Sequence, residues 1–254
     1  MTGRGREKRH FLRWFLLSLA LLVTLSSASC SLERFWGVPP ARDESVPCIL
    51  APAGLVAWWP GDASPEDIQG ENTGTLSESV AYAEGKVGQA FAFNGSAYVA
   101  ATAAEFPSAD SDRTIELWMK LEAAPEGEGF LAGYGNFGSL EQTFHLGTAA
   151  KSLFFSQWGR RIFGPDLNVG EWYHVAVSNT GSSFTLYVNG QPVATGDLPL
   201  NTPAESTFYI GGLPNDTAKG FEGIVDEVAI YDRALSQVEI DALYQVGASG
   251  KCKE

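Results

Sequence analysis

The chain has 254 residues, 44% of them hydrophobic and 12% aromatic, which is enough to bury the core of one large domain or two small ones. Its 17 basic and 30 acidic residues give a formal net charge of −13, which argues against nucleic acid as a partner. With 28 glycines, 13 prolines and 19% charged residues, the composition is typical of short strands and tight turns and excludes a disordered chain.

The first 29 residues have the pattern of an export signal. Five Arg and Lys residues lie within residues 1–13, and an uncharged, mostly apolar run over 15–25 precedes four small residues. This pattern predicts a signal peptide over residues 1–29, with an uncleaved membrane anchor as the alternative. Removing these residues takes five basic and one acidic residue from the totals of 17 and 30, so 12 and 29 remain and the net charge becomes −17.

Three cysteines, at positions 30, 48 and 252, are an odd number in a compartment that permits disulfides, so one of them should have a separate fate. Cys30 directly follows the predicted signal peptide and resembles the lipidated cysteine of bacterial lipoproteins, although Ser27 stands where Leu is usual. We predict a lipid on Cys30; the alternative is ordinary cleavage near Ala28 with a free thiol. Since Ser31 is not Asp, the resemblance implies an outer-membrane or cell-surface lipoprotein, and simple cleavage implies a periplasmic or secreted protein.

Residues 30–52 contain four prolines and no hydrophobic period, which predicts an extended tether. From residue 55 onward, short runs of β-branched and aromatic residues alternate with turn residues, as in a sandwich or barrel. The predicted strands cover residues 55–59, 90–93, 114–119, 144–146, 153–155, 172–178, 184–188, 208–210 and 224–231. Asn189-Gly190 predicts a hairpin, because both residues of a type I′ turn need positive φ. A capping box at Ser236 to Glu239 predicts one helix, which Gly247 can end.

Seven phrases in this part of the chain resemble the bacterial laminin G-like, concanavalin A-type jelly rolls and follow that family's order. They are residues 54–62, 85–91, 93–95 with 98–99, 114–118, 172–176, 186–190 and 226–236. The resemblance assigns residues 53–247 to one such domain, followed by a C-terminal tail over 248–254. It implies an all-β fold in which two antiparallel sheets of about six or seven strands each form a jelly-roll sandwich, with one short C-terminal helix.

Carboxylate spacing argues against glycosidase activity. Retaining glycosidases of this architecture need a Glu-x-Asp-x-x-Glu type of spacing on one strand, which the chain lacks. Glu116 is a lone acid between apolar residues, and the adjacent Asp226 and Glu227 should point to opposite faces of a strand. Beyond the predicted signal peptide there are only two histidines, His145 and His174, of which His174 lies in a scaffold phrase of the family. We therefore expect no enzyme activity.

The stretch over residues 154–161 is the most binding-like outside the scaffold phrases. Trp158 can stack on a sugar ring, while Gln157, Arg160 and Arg161 can donate hydrogen bonds to hydroxyl or carboxylate groups. The alternative is that these aromatic residues belong to the core.

Two further ligand-binding candidates lie outside this stretch. Tyr134 occurs in a glycine-rich segment, and His145 alternates with Phe144 and Leu146, which places it on the face opposite the core. The alternative for His145 is a plain surface residue.

The leading functional hypothesis is a non-catalytic recognition module that binds extracellular glycans or protein surfaces and is held to a membrane by its lipid. The alternatives are an envelope-assembly domain without a small ligand and a diverged carbohydrate-active enzyme.

The resemblance also implies two structural links. The first and last segments of such sandwiches commonly lie side by side, which implies a Cys48–Cys252 disulfide; two free thiols are the alternative. Many members of the family bind calcium where the loop over residues 61–74 meets the strand that contains Asp226. By that resemblance a structural calcium ion would be bound by carboxylate, amide and carbonyl oxygens, with four candidate side chains. These are Asp62, Asp67, Asn72 and Asp226. The alternative is that Asp226 caps a turn or pairs with Arg233 and that the loop acids are solvated.

The lipid on Cys30 can be tested by metabolic labelling with an alkyne fatty acid. We expect wild-type protein to incorporate the label and Cys30→Ser to incorporate none, because the substitution removes the acylated sulfur. Equal labelling of both proteins, or no label in the wild type, would contradict a lipid on Cys30.

Overall fold

The computed structural model describes residues 47–253 except Pro125 and Asn215. The predicted signal peptide over residues 1–29, Cys30 and most of the tether lie outside these residues. In the part that is described, no helix has the length and apolar character needed to cross a membrane.

Fifteen strands form two antiparallel sheets that pack on each other as a sandwich, which confirms the predicted fold class. The eight-stranded sheet contains β1 (Leu55–Trp59), β3 (Ala81–Glu84), β4 (Gln89–Asn94), β6 (Arg113–Leu121), β11 (Trp172–Thr180), β12 (Ser183–Val188), β13 (Gln191–Asp197) and β15 (Glu222–Tyr231). The seven-stranded sheet contains β2 (Thr75–Leu76), β5 (Val99–Thr102), β7 (Glu128–Gly135), β8 (Thr143–Ala149), β9 (Ser152–Ser156), β10 (Arg161–Asp166) and β14 (Thr207–Ile210). Their orders are β13-β12-β11-β6-β15-β4-β3, with β1 also paired to β15, and β10-β9-β8-β7-β14-β5-β2.

The main core lies between the two sheets and is built from alternate residues of each strand. In the seven-stranded sheet, one inward row runs through paired residues of six neighbouring strands, all of them buried. This row is Val99, Ile210, Ala132, Leu146, Phe155 and Ile162. Because every second residue points inward, the residues between them must point to the outer face of the same sheet.

The predicted helix is confirmed as α1 (Gln237–Val246). Ser236 is its N-cap, and the side chains of Ser236 and Glu239 each accept a hydrogen bond from the other's backbone N–H. Ile240 and Leu243 of α1 pack with Trp58 and Tyr231 on the outer face of the eight-stranded sheet. The helix therefore covers the outer side of one sheet of the sandwich.

The predicted hairpin at Asn189-Gly190 is confirmed between β12 and β13. The φ angles of these residues are 50° and 78°, the left-handed values that the type I′ turn requires.

The ends of the described chain lie side by side, as the family resemblance implied. Cys48 and Cys252 form a disulfide across a sequence separation of 204 residues, and Ile49 pairs with Lys251 in a parallel bridge. A crosslink over so long a loop stabilises the fold by up to about 5 kcal/mol through the entropy of the unfolded chain.

Lys251 carries a buried charge beside this disulfide. Its ammonium group lies 2.8 Å from Glu116 Oε1 and 3.3 Å from Glu227 Oε2, and Glu116 Oε2 lies 3.0 Å from His174 Nε2. Burial alone would lower the pKa of Lys251, but the two carboxylates outweigh burial and raise that pKa above its usual range. Burial would likewise raise the pKa of Glu116, yet Lys251 and then His174 hold it below its ordinary value. The C-terminal segment is thus attached to the eight-stranded sheet by Lys251, and the disulfide attaches it to the segment before β1.

The two lysines that flank Cys252 allow a matched test of this cluster. We expect Lys251→Met to lower the free energy of unfolding by about 3–5 kcal/mol, because it leaves two carboxylates buried without their partner. Lys253→Met should cost less, about 1 kcal/mol, because Lys253 is exposed and pairs with Asp62 near the surface, although it also lies 3.4 Å from Glu227 Oε1. Urea unfolding at pH 7 measures both values, and equal losses for the two variants would contradict the assignment.

Candidate functional site

The outer face of the seven-stranded sheet, opposite to the side that α1 covers, carries a row of aromatic side chains. We call Tyr98, Tyr209, Phe137 and Trp158 the aromatic row; all four are partly exposed. Ring centroids are 6.1 Å apart from Tyr98 to Tyr209, 5.8 Å from Tyr209 to Phe137 and 5.9 Å from Phe137 to Trp158. These spacings are typical of aromatic pairs in contact, so the rings form one continuous surface.

The register of the strands explains why Tyr209, a member of the aromatic row, faces outward. One outward row of residues runs from β14 to β10 between the inward rows, through positions that are paired across neighbouring strands. This row is Tyr209, Gly133, His145, Ser156 and Arg161. A Cβ atom at position 133 would clash with the side chain of His145, so glycine is required there to let the outer layer approach the sheet.

Trp158 lies at one end of the aromatic row, just after the end of β9. Its φ of 66° is a left-handed value, which costs a non-glycine residue about 1–3 kcal/mol. The Trp158 backbone N–H donates to the hydroxyl of Ser156 at 3.0 Å, and the indole ring contacts Phe137 and His145. Because strained backbone concentrates at functional sites, this geometry marks Trp158 as the leading candidate for a ligand contact.

Two cavities meet at Trp158. The first, of about 650 Å³, is lined by Glu128, Leu140, Arg160, Arg161, Phe163 and Lys219, and we call it the basic cavity. The second, of about 360 Å³, lies along Phe137, Thr207, Tyr209, Leu213 and Asp216, and we call it the aromatic cavity. Volumes of this size are in the range of ligand-binding clefts. Leu140 and Phe163 are 70% and 53% exposed at the basic cavity, which gives this site apolar surface open to solvent.

The basic cavity holds two cations in partly exposed ion pairs. Arg161 lies 2.5 Å from Glu128 and stacks 4.6 Å from the ring centroid of Phe154. Lys219 lies 3.1 Å from Asp216 and 4.1 Å from the ring centroid of Trp158. Exposed ion pairs contribute little to stability, so both cations can exchange their carboxylate partners for a ligand.

His145 lies beneath Phe137 and Trp158 of the aromatic row. It lies on the side opposite the core, as predicted, but it is only 4% exposed because Phe137 and Trp158 pack over it. Burial, and then the charges of Arg161 and Lys219, lower the pKa of His145 to about 3, so the ring is neutral at physiological pH. The expectation that His145 contacts a ligand is thereby corrected: it positions the aromatic rings above it.

Tyr134 is also corrected as a ligand-binding candidate. Its phase in β7 points inward, where it is 1% exposed and packs near Phe144 and Phe208. Its hydroxyl donates to the carbonyl oxygen of Pro107 at 2.7 Å and accepts from the buried Arg113 at 2.9 Å. Tyr134 therefore belongs to a buried polar network inside the sandwich.

Gln157 is the third correction. It is 1% exposed, and its Oε1 accepts a hydrogen bond from the backbone N–H of Glu141 at 3.2 Å. Its side chain holds the loop between β7 and β8 against β9, whereas the neighbouring Trp158, Arg160 and Arg161 are accessible. Since β9 ends at Ser156, the alternation of a strand no longer predicts where Gln157 points.

Tyr209, Phe137, Tyr98 and Lys219 are site residues that the sequence did not single out. They come from four separate segments, and only the sheet order brings them to one face. One usable indication exists for Tyr209, since it alternates with Phe208 and Ile210 and both of these are buried.

The four predicted calcium ligands occupy two places. Asp67 is saturated, because its carboxylate accepts backbone N–H groups of Trp58, Gln69 and Gly70 and both the backbone and side-chain N–H groups of Asn72. Asp67 and Asn72 thus stabilise their own loop through these hydrogen bonds, and the occupied carboxylate of Asp67 does not fit a calcium ligand.

Asp62 and Asp226 share the turn between β3 and β4. Asp62 accepts from the backbone N–H of Gln89 and pairs with Lys253, and Asp226 Oδ2 accepts from the backbone N–H groups of Lys86 and Val87. Asp226 Oδ1 is buried and has no partner in the described structure, and burial raises the pKa of this carboxyl to about 7. Asp226 thus fits a ligand oxygen, although residues 47–253, as described, contain no group of three or more His, Cys, Asp and Glu that could hold a metal ion.

Comparisons with known proteins agree with this architecture. Residues 93–241 match the family described as the concanavalin A-like lectin/glucanases superfamily. Domain 4 of AbnA, a GH43 extracellular arabinanase from Geobacillus stearothermophilus solved in complex with arabinotriose, superposes with a TM-score of 0.63 at 23% identity, over 75% of this chain and 98% of that one.

Two further structures are similar to parts of larger proteins. Trypanosoma rangeli sialidase matches with a TM-score of 0.64 at 21% identity over 78% of this chain, which spans only 34% of the sialidase. The binding domain of Paraclostridial Mosquitocidal Protein 1 matches with a TM-score of 0.59 at 18% identity, over 75% of this chain and 52% of that one. At these identities the likeness supports the fold alone.

Calcium at the turn between β3 and β4 stays a prediction with a direct test. After treatment with EDTA, millimolar calcium should raise the melting temperature of the wild type, because an ion that binds only the folded state stabilises it. Asp226→Ala should abolish the rise by removing the unpartnered oxygen, whereas Asp67→Asn should retain it. No rise in the melting temperature of the wild type, or the same rise in Asp226→Ala, would contradict a calcium site at Asp226.

Proposed function

The chain belongs to the concanavalin A-like lectin/glucanases superfamily, and on this basis we propose that the outer face of its seven-stranded sheet binds extracellular glycans without cleaving them. The observation that carries the proposal is the position of Trp158. This partly exposed ring, on strained backbone, lies where the two cavities meet and continues the aromatic row.

The chemistry of sugars fits this surface. One side of a pyranose or furanose ring presents C–H groups, which pack on the face of an aromatic ring, while the hydroxyls at the edge need hydrogen-bond partners. The aromatic row supplies the flat surface, and polar side chains beside it supply partners: Arg160, Arg161 and Thr207. A ring stacked on Trp158 would leave room for neighbouring sugars in both cavities, so the surface suits an oligosaccharide chain.

The similar structures support carbohydrate as the ligand class. The AbnA domain was solved with arabinotriose, and the sialidase was also solved in complex with sialic acid. The arabinanase domain is covered almost completely by the match, so the comparable unit there is one domain of a larger glycan-directed enzyme.

The placement of carboxylates supports binding without cleavage. Retaining glycosidases place two carboxyl groups about 5–5.5 Å apart on either side of the scissile bond. Glu128 lines the basic cavity and is paired with Arg161, and Asp216 lines the aromatic cavity and is paired with Lys219. Glu116 is buried on the other sheet and is held by Lys251.

We infer that the domain is displayed outside the cytoplasm. The Cys48–Cys252 disulfide is typical of an oxidising compartment, and the predicted lipid on Cys30 would hold the domain at a membrane through its tether.

The test compares Trp158, which follows β9 of the seven-stranded sheet, with Trp172, which lies on the eight-stranded sheet. A lysine ammonium group lies near each of these two rings. Lys219 lies over Trp158, and Lys120 lies 5.5 Å from the ring centroid of Trp172 on β11. For glycans that the wild type binds on an array, we expect Trp158→Ala to weaken binding about tenfold or more, as for a central aromatic contact, and Trp172→Ala to leave it unchanged.

Isothermal titration calorimetry on the exported chain measures these affinities. Equal losses in both variants would move the site away from Trp158. Absence of binding to any glycan on the array would contradict glycan recognition, and shortened oligosaccharides after incubation would show an enzyme.

A further inference from the structure

We propose that the basic cavity selects acidic glycans, whose sugar rings carry a carboxylate or a sulfate group. This inference rests on the proposed function, since it names the class of ligand for the surface around Trp158. It is carried by the concentration of cationic side chains at this one cavity of a strongly acidic chain.

The charge at the cavity opposes that of the molecule as a whole. The chain has a formal net charge of −13, yet three basic residues, Arg160, Arg161 and Lys219, line this cavity against two acids, Glu128 in its lining and Asp216 beside Lys219. All of these charges lie near one another compared with a Debye length of about 8 Å in physiological salt, so the local excess of positive charge acts on a group bound here. An anionic group that the rest of the surface repels would therefore be attracted here.

Arg160 is the cation that is free to bind a ligand. Its side chain is exposed, and among residues 47–253 as described its guanidinium group makes no ion pair and donates no hydrogen bond to another residue. A guanidinium group presents paired N–H donors that match the two oxygens of a carboxylate or a sulfate. Arg160 lies two residues after Trp158 and lines the same cavity, so a sugar packed on the indole could direct an acidic substituent towards it.

Arg161 and Lys219 add donors that are held near the ring. Their partners, Glu128 and Asp216, are both partly exposed, so an acidic substituent can take the place of either carboxylate at little cost. Lys219 also lies over the Trp158 ring, so a sugar that stacks on this face displaces the ammonium group, which can then bind the acidic substituent of that sugar. The neutral His145 below adds no positive charge of its own. Selectivity for acidic sugars thus depends on the three side chains at the cavity.

The first step of the test is an array of glycans that contain uronic acids, nonulosonic acids, sulfate groups or neutral sugars alone. Calorimetry then measures the affinity for trigalacturonate, for its methyl ester or for the strongest acidic ligand on the array. We expect acidic glycans to bind best and 0.5 M NaCl to weaken their binding. Arg160→Gln should reduce affinity for the acidic ligand about tenfold, as for one lost charge-assisted hydrogen bond. Glu128→Gln should raise that affinity, because it removes the competing carboxylate of the cavity.

Lys151→Gln is the matched control, because it removes one positive charge from the exposed turn between β8 and β9, at the opposite end of β9. It should bind like the wild type. Binding confined to neutral glycans and sensitive to Trp158→Ala would overturn the acidic class and keep the proposed function. Binding of acidic glycans that neither Arg160→Gln nor Glu128→Gln changes would overturn the role of the cavity. Preference for carboxylated over sulfated glycans, or the reverse, identifies the substituent, and both support the inference.

Discussion

The packing of α1 against the outer face of the eight-stranded sheet is the constraint on which the rest of this structure depends. A two-sheet sandwich buries two inner faces and leaves two outer faces in contact with water or with other groups. In this chain Ile240 and Leu243 cover part of one outer face, over Trp58 and Tyr231. The aromatic row lies on the other sheet, where its rings are partly exposed. Exposed aromatic surface has a free-energy cost in water, so a partner that covers it is the simplest account of its presence.

The charged groups, like the apolar ones, are buried at one sheet and accessible to solvent at the other. Beside the disulfide, Lys251 lies between Glu116 and Glu227, and this buried cluster attaches the C-terminal segment to β6 and β15. At the open face, Arg161 and Lys219 lie in ion pairs that water can reach, and Arg160 extends from the same cavity. A buried ion pair has little freedom to change partners, whereas an exposed one exchanges them readily. The first arrangement fixes the chain ends and the second leaves cations available to a ligand.

Local sequence patterns predicted the helix, the hairpin and nine of the fifteen described strands, because these features act over short distances, whereas the two-sheet jelly roll was implied by the family resemblance. The capping box at Ser236, the Asn189-Gly190 turn and the period of the strands each depend on neighbouring residues, and all are confirmed. The candidate site could be predicted only in part. Trp158, Arg160 and Arg161 reach the surface as expected, but Gln157 does not, because the backbone turns sharply after β9. Tyr134 is directed inward by the phase of β7, and the residues that complete the site depend on strand order, which no local pattern contains.

The central claim is that a glycan binds across Trp158 on the outer face of the seven-stranded sheet. A crystal structure of the purified chain with the oligosaccharide that it binds most tightly would test this most directly. The account predicts density for a sugar ring packed on the Trp158 indole, with further sugars extending into the basic cavity or the aromatic cavity. Density for the sugar at any other surface, with both of these cavities filled by water alone, would contradict it.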